Sequence, residues 1–267
     1  MNKFKERHIK LIEGSGGKVT ENLFVEKVGL VITKKPQLTN EAKSLFDLMN
    51  IDTTESDSVQ HAEFNSRLTY LAFKDEKSSS KEYNEKMIKV HGHRGVYNDE
   101  QLTVLIAGSG IETMIEFLAH NEATVARLTS SKTAAQNEPL YRVQTKNLTE
   151  DFIETQKYLI KSFETIRLKN KNLIDQNSET EKEIYNIMST GNKAVSFTIS
   201  MSIKDWHKTL IGRLSNSGVE TEMIEVLSDL TDLLNKEYPF FFNTKEDYFD
   251  MNNEKKYETK WSIYKNI

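Results

Sequence analysis

Between Ala194 and Leu234 the chain changes from strand period to helical period and keeps the latter through two helices, and this block restricts the fold more than any other stretch. Ala194-Val195-Ser196-Phe197-Thr198-Ile199-Ser200 keeps strand period, Ile203 to Leu214 keeps helical period, and Val219 to Leu234 is a second amphipathic helix closed by Tyr238-Pro239-Phe240. A strand followed directly by two one-faced helices has to cover its sheet with helices. The expected class is therefore α+β, a mixed or antiparallel sheet packed against several long helices. With 267 residues, 37% aliphatic and aromatic and 28% charged, the chain can bury a substantial core without disulfides or metal. One compact domain over 1–242 with a weakly patterned tail at 243–267 is the expected organisation.

Upstream the pattern is more broken. His8-Ile9-Lys10-Leu11-Ile12, Leu23-Phe24-Val25 and Val28-Gly29-Leu30-Val31-Ile32 read as β structure around Gly14-Ser15-Gly16-Gly17, as a hairpin or meander. Thr39 or Asn40 supplies a helix cap, since a short side-chain oxygen accepts from otherwise unpaired amides, and that helix runs to Met49. Thr54 to Asp57 reads as a loop. A short helix carries Tyr83, Met87 and Ile88. Leu102 to Ile106 predicts a buried strand, stopped by Gly108-Ser109-Gly110, and Ile111, Met114, Ile115, Phe117 and Leu118 predict a helix after it. Leu140 to Val143 is extended, and helices follow over Phe152 to Ile166 and Glu179 to Met188.

Several classes of chemistry are excluded outright. The chain has no cysteine, so thiol nucleophiles, zinc–thiolate sites, iron–sulfur clusters and disulfides play no part. A net charge of −4, with 36 basic residues dispersed among 40 acidic ones, offers no general field for nucleic acid. The first eight residues are polar where a signal peptide needs an apolar core, and no run reaches the ~20 apolar residues of a membrane span, so a cytoplasmic protein that does not enter the membrane is expected.

Candidate binding features are few. Gly14 to Gly17 reads either as a hairpin turn or as a phosphate-binding loop, and Gly108 to Gly110 either as a tight strand-to-helix turn or as a ligand contact. His91-Gly92-His93 reads as a helix C-terminus, with a metal pair as the alternative. Arg213 falls at the end of the helix that carries Trp206, Leu210 and Ile211. A cation is favoured there by the helix dipole, and its planar fork also suits a phosphate or a pyrimidine carbonyl.

The order of these pieces resembles the flavin-dependent thymidylate synthases over about Met87 to Phe242. In that family a His-Gly-His or His-Gly-Ser element leads into a strand, a turn and a helix, matched here by His91 to His93, Leu102 to Ile106, Gly108 to Gly110 and Ile111 onward. The family's signature at the helix end is Arg-His-Arg, two residues, Ser, a short spacer, Ser, one residue and Arg-Tyr. Here the matching run keeps His120, has Thr124 and Thr129 in place of the serines, and has Ala119, Asn121 and Ser131 in place of arginines. The C-terminal block matches over Ser202-Ile203-Lys204, Gly212-Arg213 and Glu220-Thr221-Glu222.

The resemblance implies a homotetramer converting deoxyuridine monophosphate to thymidylate with methylenetetrahydrofolate, flavin adenine dinucleotide (FAD) and NADPH. On its terms Arg213 is the catalytic, substrate-orienting residue. His93, His120, Thr124, Ser202 and Lys208 would contact the flavin, and Thr129 and Ser131 would bind the nucleotide with Arg213. Replacement of the signature arginines, together with Asp99 where the family usually has a histidine, favours a second reading. In it the chain is a catalytically inactive or repurposed homologue, acting as a nucleotide-binding or protein-interaction module.

Overall fold

The structure is a computed structural model that describes residues 3–74, 79–87, 91, 95–119, 125–128, 140–145, 148–169, 192–214, 219–238 and 242. It is α+β, with eight helices and two small sheets among the described residues. In chain order the elements are α1 (Lys3–Gly14), β1 (Lys18–Val19), β2 (Phe24–Lys27), β3 (Gly29–Lys34), α2 (Asn40–Leu48), α3 (Asp57–Tyr70) and α4 (Ser80–Glu85). A single 3-10 turn at Gly95–Tyr97 precedes β4 (Gln101–Gly110), α5 (Ile111–Ala119), β5 (Val125–Leu128) and β6 (Tyr141–Arg142). Then come α6 (Glu150–Lys169), β7 (Ala194–Ser202), α7 (Ile203–Leu214) and α8 (Thr221–Glu237).

One sheet is mixed. Its order is β1-β2-β6, with β1 antiparallel to β2 and β2 parallel to β6 in the register Phe24 to Tyr141 and Val25 to Arg142. The other sheet has the order β3-β4-β7-β5. The chain groups into two compact units, each assembled from separated segments: 1–31, 104–199 and 220–226 in the first, 32–103, 200–219 and 227–267 in the second.

In the first unit Ile12, Val25, Ala107, Leu140 and Ala194 form one buried cluster, and Phe24, Tyr141, Val143 and Ile160 form another. Full burial of each larger side chain contributes about 1.5–3 kcal/mol. The β reading of His8 to Ile12 is corrected here, because these residues belong to α1. Phe4, His8 and Ile12 stand four apart, so His8 and Ile12 face inward together, and the five-residue alternation is a short sample of a 3.6-residue period. The hairpin reading of Gly14 to Gly17 is corrected with it. The run ends α1: Gly17 donates to the Ile12 carbonyl at 2.9 Å, and Gly16 takes φ +81°, where a side chain would be strained. The hairpin lies one step later, between β1 and β2, where Thr20 and Phe24 exchange backbone and hydroxyl hydrogen bonds.

In the second unit Thr39 caps α2, its hydroxyl accepting from the Ala42 amide at 3.2 Å, as the sequence predicts. Phe46 of α2 stacks on Phe64 of α3, and the Phe73 ring lies tilted against Phe64. The inner face of α3 is mostly polar: Ser58, Gln60, Glu63, Ser66 and Arg67 are buried there beside Val59 and Ala62. Glu63 accepts from Arg67 at 2.5 Å, and the Arg67 guanidinium lies 3.9 Å over the Tyr83 ring of α4, which neutralises the buried charge and covers its flat face. The predicted helix over Glu179 to Met188 and the 243–267 tail lie outside the described residues.

Candidate functional site

In the second unit the start of β4 meets the start of α7. The Ile203 amide donates to the Glu100 carbonyl at 2.8 Å, and the Trp206 indole donates to the Leu102 carbonyl at 3.1 Å. These two bonds fix the first turn of α7 against the strand. Strand pairing continues the contact, with the Thr103 and Ser200 hydroxyls 2.7 Å apart. Ser202 is the cap of α7: its Oγ accepts from the Asp205 amide at 3.0 Å and donates to the Asp205 carboxylate at 2.6 Å.

The same strand start carries Glu100, whose carboxylate is 2% exposed and hydrogen-bonded to His61 Nδ1 from α3. A carboxylate that deeply buried is tolerated because it is paired. The hydrogen bond to Glu100 raises the His61 pKa above the ordinary histidine value, with Asp99 adding to the rise and partial burial opposing it. The ring lies nearly parallel to Phe46, and the Asn65 amide is 3.4 Å from Nε2. The pair forms one wall of a cavity of about 810 Å³ that Thr33, Lys34, Lys35 and Asp99 also line. Two charges near it are already matched, Asp57 by Lys43 at 3.1 Å and Lys35 by Glu237. An imidazole held by a carboxylate at a cavity wall can take or deliver a proton, or bind an anion, at Nε2.

A second, smaller cavity of about 420 Å³ lies within the first unit, bordered by Gly110, Arg142, Gln144, Gln156, Asn192 and Glu222. Its floor is an ion-pair network. Buried Arg142 donates to Glu222 at 3.0 Å, to Glu225 at 2.9 Å and to the carbonyls of Val25, Glu26 and Val143 at 2.6–3.1 Å. Glu222 also accepts from the Gly110 amide at 2.8 Å. Gly110 has no room for a side chain, since a Cβ there would stand 2.6 Å from Glu222 Oε2. The guanidinium is thus committed to structure.

Of the residues singled out by sequence, Ser202, Lys208 and Arg213 are described. His93, His120, Thr124, Thr129 and Ser131 lie outside the described residues. Ser202 is buried at the N-terminus of α7, while Lys208 is half-buried in its middle and Arg213 half-buried in its last turn. At 1.5 Å and 100° per residue, Ser202 and Arg213 are separated by about 16 Å along the axis, and Lys208 points about 120° away from the Ser202 position. The helix therefore does not gather the three on one face. Among the described positions matched to flavin contacts, the Ser202 hydroxyl is used by its own helix cap, and the end of α5 carries the exposed methyl of Ala119 in place of a cation.

The pairing that sequence reasoning missed is His61 with Glu100. The two stand 39 residues apart, in no motif, and neither stands out in its local pattern; only the approach of α3 to the segment around the 3-10 turn that precedes β4 brings them together. Compared with models of known protein families and with curated proteins, the chain matches none.

Proposed function

We propose that this chain is a divergent flavin-dependent thymidylate synthase-like protein that binds a pyrimidine nucleotide, with deoxyuridine monophosphate as the expected ligand and Arg213 as its orienting residue. The observation that carries this reading is the order of elements. A strand that runs through Gly108-Ser109-Gly110, where the sequence predicts a turn, passes directly into a helix (β4, α5); a strand and two helices follow later (β7, α7, α8), β4 and β7 are neighbours in one sheet, and Arg213 sits in the last turn of the first of those helices. A planar fork at a helix end suits a pyrimidine carbonyl or a phosphate in a way that a lysine would not. A cytoplasmic setting belongs to this reading, and so does a folate methyl donor if the protein is active. Among the described residues no helix is long and apolar enough to cross a membrane.

The commitment of Ser202 to Asp205, and Ala119 at the end of α5, favour a second reading on the same scaffold: a homologue that binds nucleotide or protein without flavin chemistry. Calorimetric titration separates the readings. Saturable FAD binding strengthened by deoxyuridine monophosphate supports the synthase. Nucleotide binding alone, weakened on the order of tenfold or more in Arg213→Ala, supports the second. Absence of nucleotide binding, or binding unchanged in Arg213→Ala, overturns the assignment of Arg213.

A further inference from the structure

The smaller cavity, which lies within the first unit, has no part in the proposed function. Its volume of about 420 Å³ is in the range of small-molecule sites. Among the described residues that border it, Glu112, Glu220 and Glu222 are acidic and Arg142 is the one base. The guanidinium is occupied at all three nitrogens, by Glu222, by Glu225 and by the carbonyls of Val25, Glu26 and Val143, so it serves as floor rather than as a recognition group. Glu112 and Glu220 are exposed and have no basic partner among the described residues.

Exposed acids alone would be ordinary solvated surface; Glu222 is different. Its side chain is 4% exposed, and Oε1 accepts from both the Gly110 amide and Arg142 Nε. Oε2 has no hydrogen-bond partner among the described residues. It stands 2.6 Å from the place where any residue other than glycine at 110 would put its Cβ, and Gly110 and Glu222 both border the cavity. The missing side chain therefore leaves this oxygen uncovered on the cavity side. A buried carboxylate oxygen without a donor is costly, and a donor that enters through the cavity removes the cost. The side-chain amides of Gln144 and Asn192, which make no hydrogen bond among the described residues, add two more acceptors at the border.

Charge decides the sign of the ligand. Helix α8 begins at the cavity, and its dipole brings the equivalent of about half a positive charge there. Three bordering carboxylates against one guanidinium leave two negative charges over, which outweighs the dipole. The carboxylates do not converge on one point, since among the described residues no group of three His, Asp or Glu side chains could hold a metal ion. We propose that this cavity binds a small organic cation through a primary ammonium group, whose three N–H donors meet Glu222 Oε2 and the amide oxygens of Gln144 and Asn192. Glu112 and Glu220, being exposed, draw the cation in from solvent. Ser202, Lys208 and Arg213 do not border the cavity, so this site stands or falls separately from the proposed function.

The test is a titration of the full chain with the diamine putrescine at constant ionic strength, followed in amide proton–nitrogen correlation spectra. Saturable shifts are expected at the Gly110 amide and at the side-chain amides of Gln144 and Asn192. Tetramethylammonium, which carries the charge but no N–H, is expected to produce none. Glu222→Gln should raise the dissociation constant on the order of tenfold or more. That change also removes a counter-charge of Arg142, so circular dichroism and urea unfolding accompany it. The exposed pair Glu112→Gln with Glu220→Gln keeps the fold and should weaken binding severalfold, which decides the matter if Glu222→Gln does not fold. No saturable shift with putrescine overturns the proposal, as do shifts confined to residues away from Gly110. An equal response to tetramethylammonium would reduce the site to diffuse charge, and a tighter response to Mg²⁺ would make it a metal site; either result overturns it. Binding unchanged in the variants does the same.

Discussion

His8 illustrates how a single residue sets a condition for stability. Its ring is buried in the first unit, Nε2 lies 2.8 Å from the Ser196 hydroxyl, and that hydroxyl oxygen accepts from the Gly108 amide at 3.1 Å. The imidazole and the Ser196 hydroxyl share one hydrogen bond whose direction is set by the ring tautomer, and burial lowers the His8 pKa to about 4. The folded state refuses a proton that the unfolded chain accepts below about pH 6.5. The resulting stability, about 3 kcal/mol, is complete above that pH and is lost as the pH falls toward 4. Urea denaturation of the wild type at pH 7 and pH 4.5 is expected to show this loss, and His8→Gln should flatten the difference. Equal losses in both proteins would place the acid sensitivity elsewhere. His61 behaves in the opposite sense: its raised pKa means that pairing with Glu100 contributes most at low pH and fades as the pH rises through the folded value.

At the scale of elements, the junction of β4 and α5 is closely packed. Gly110→Ala would push Glu222 off both the Gly110 amide and the Arg142 guanidinium, disrupting a buried ion pair. A loss of about 2–4 kcal/mol is expected in equilibrium unfolding, whereas Gly95→Ala, with nothing within 4 Å of the added carbon, should cost far less. Equal effects would show that Glu222 can move aside freely. The legibility of the elements follows from what they bury. Helices α7 and α8 and strands β4 and β7 were readable because each buries an apolar face long enough to repeat its period several times. Helix α3 was not, because five of its seven buried positions, Ser58, Gln60, Glu63, Ser66 and Arg67, are polar and only Val59 and Ala62 are apolar, too few to register a hydrophobic period. Helix α1 fell to the opposite error, since five residues satisfy either period. The candidate site was legible only in part for a related reason. Arg213 and Ser202 belong to a patterned block, while the His61–Glu100 pair is made by tertiary approach of two unremarkable residues.

For the molecule as a whole, neither compact unit is a continuous stretch of chain. The longest segment of the second unit, 32–103, contains α2, α3 and α4 but leaves the start of β4 without α7. Expressed alone it would lose the bond from the Ile203 amide to Glu100 and that from Trp206 to Leu102, and it would expose Leu102. The fragment is expected to lack a cooperative unfolding transition and dispersed amide resonances. A folded fragment would show that the contacts among α2, α3 and α4 suffice without α7.

Arg142 draws a final consequence from this interleaving. Its five donor contacts reach back to Val25 and Glu26 and forward to Glu222 and Glu225, the latter 83 residues later in the chain. During synthesis the carbonyl partners are present long before the carboxylates. At ribosomal rates of ~5–20 residues per second, the guanidinium waits roughly 4–17 seconds before its counter-charges leave the tunnel. For that interval the half-built unit must hold a cation in water rather than in its interior, so closure of this part of the fold is timed by the arrival of α8.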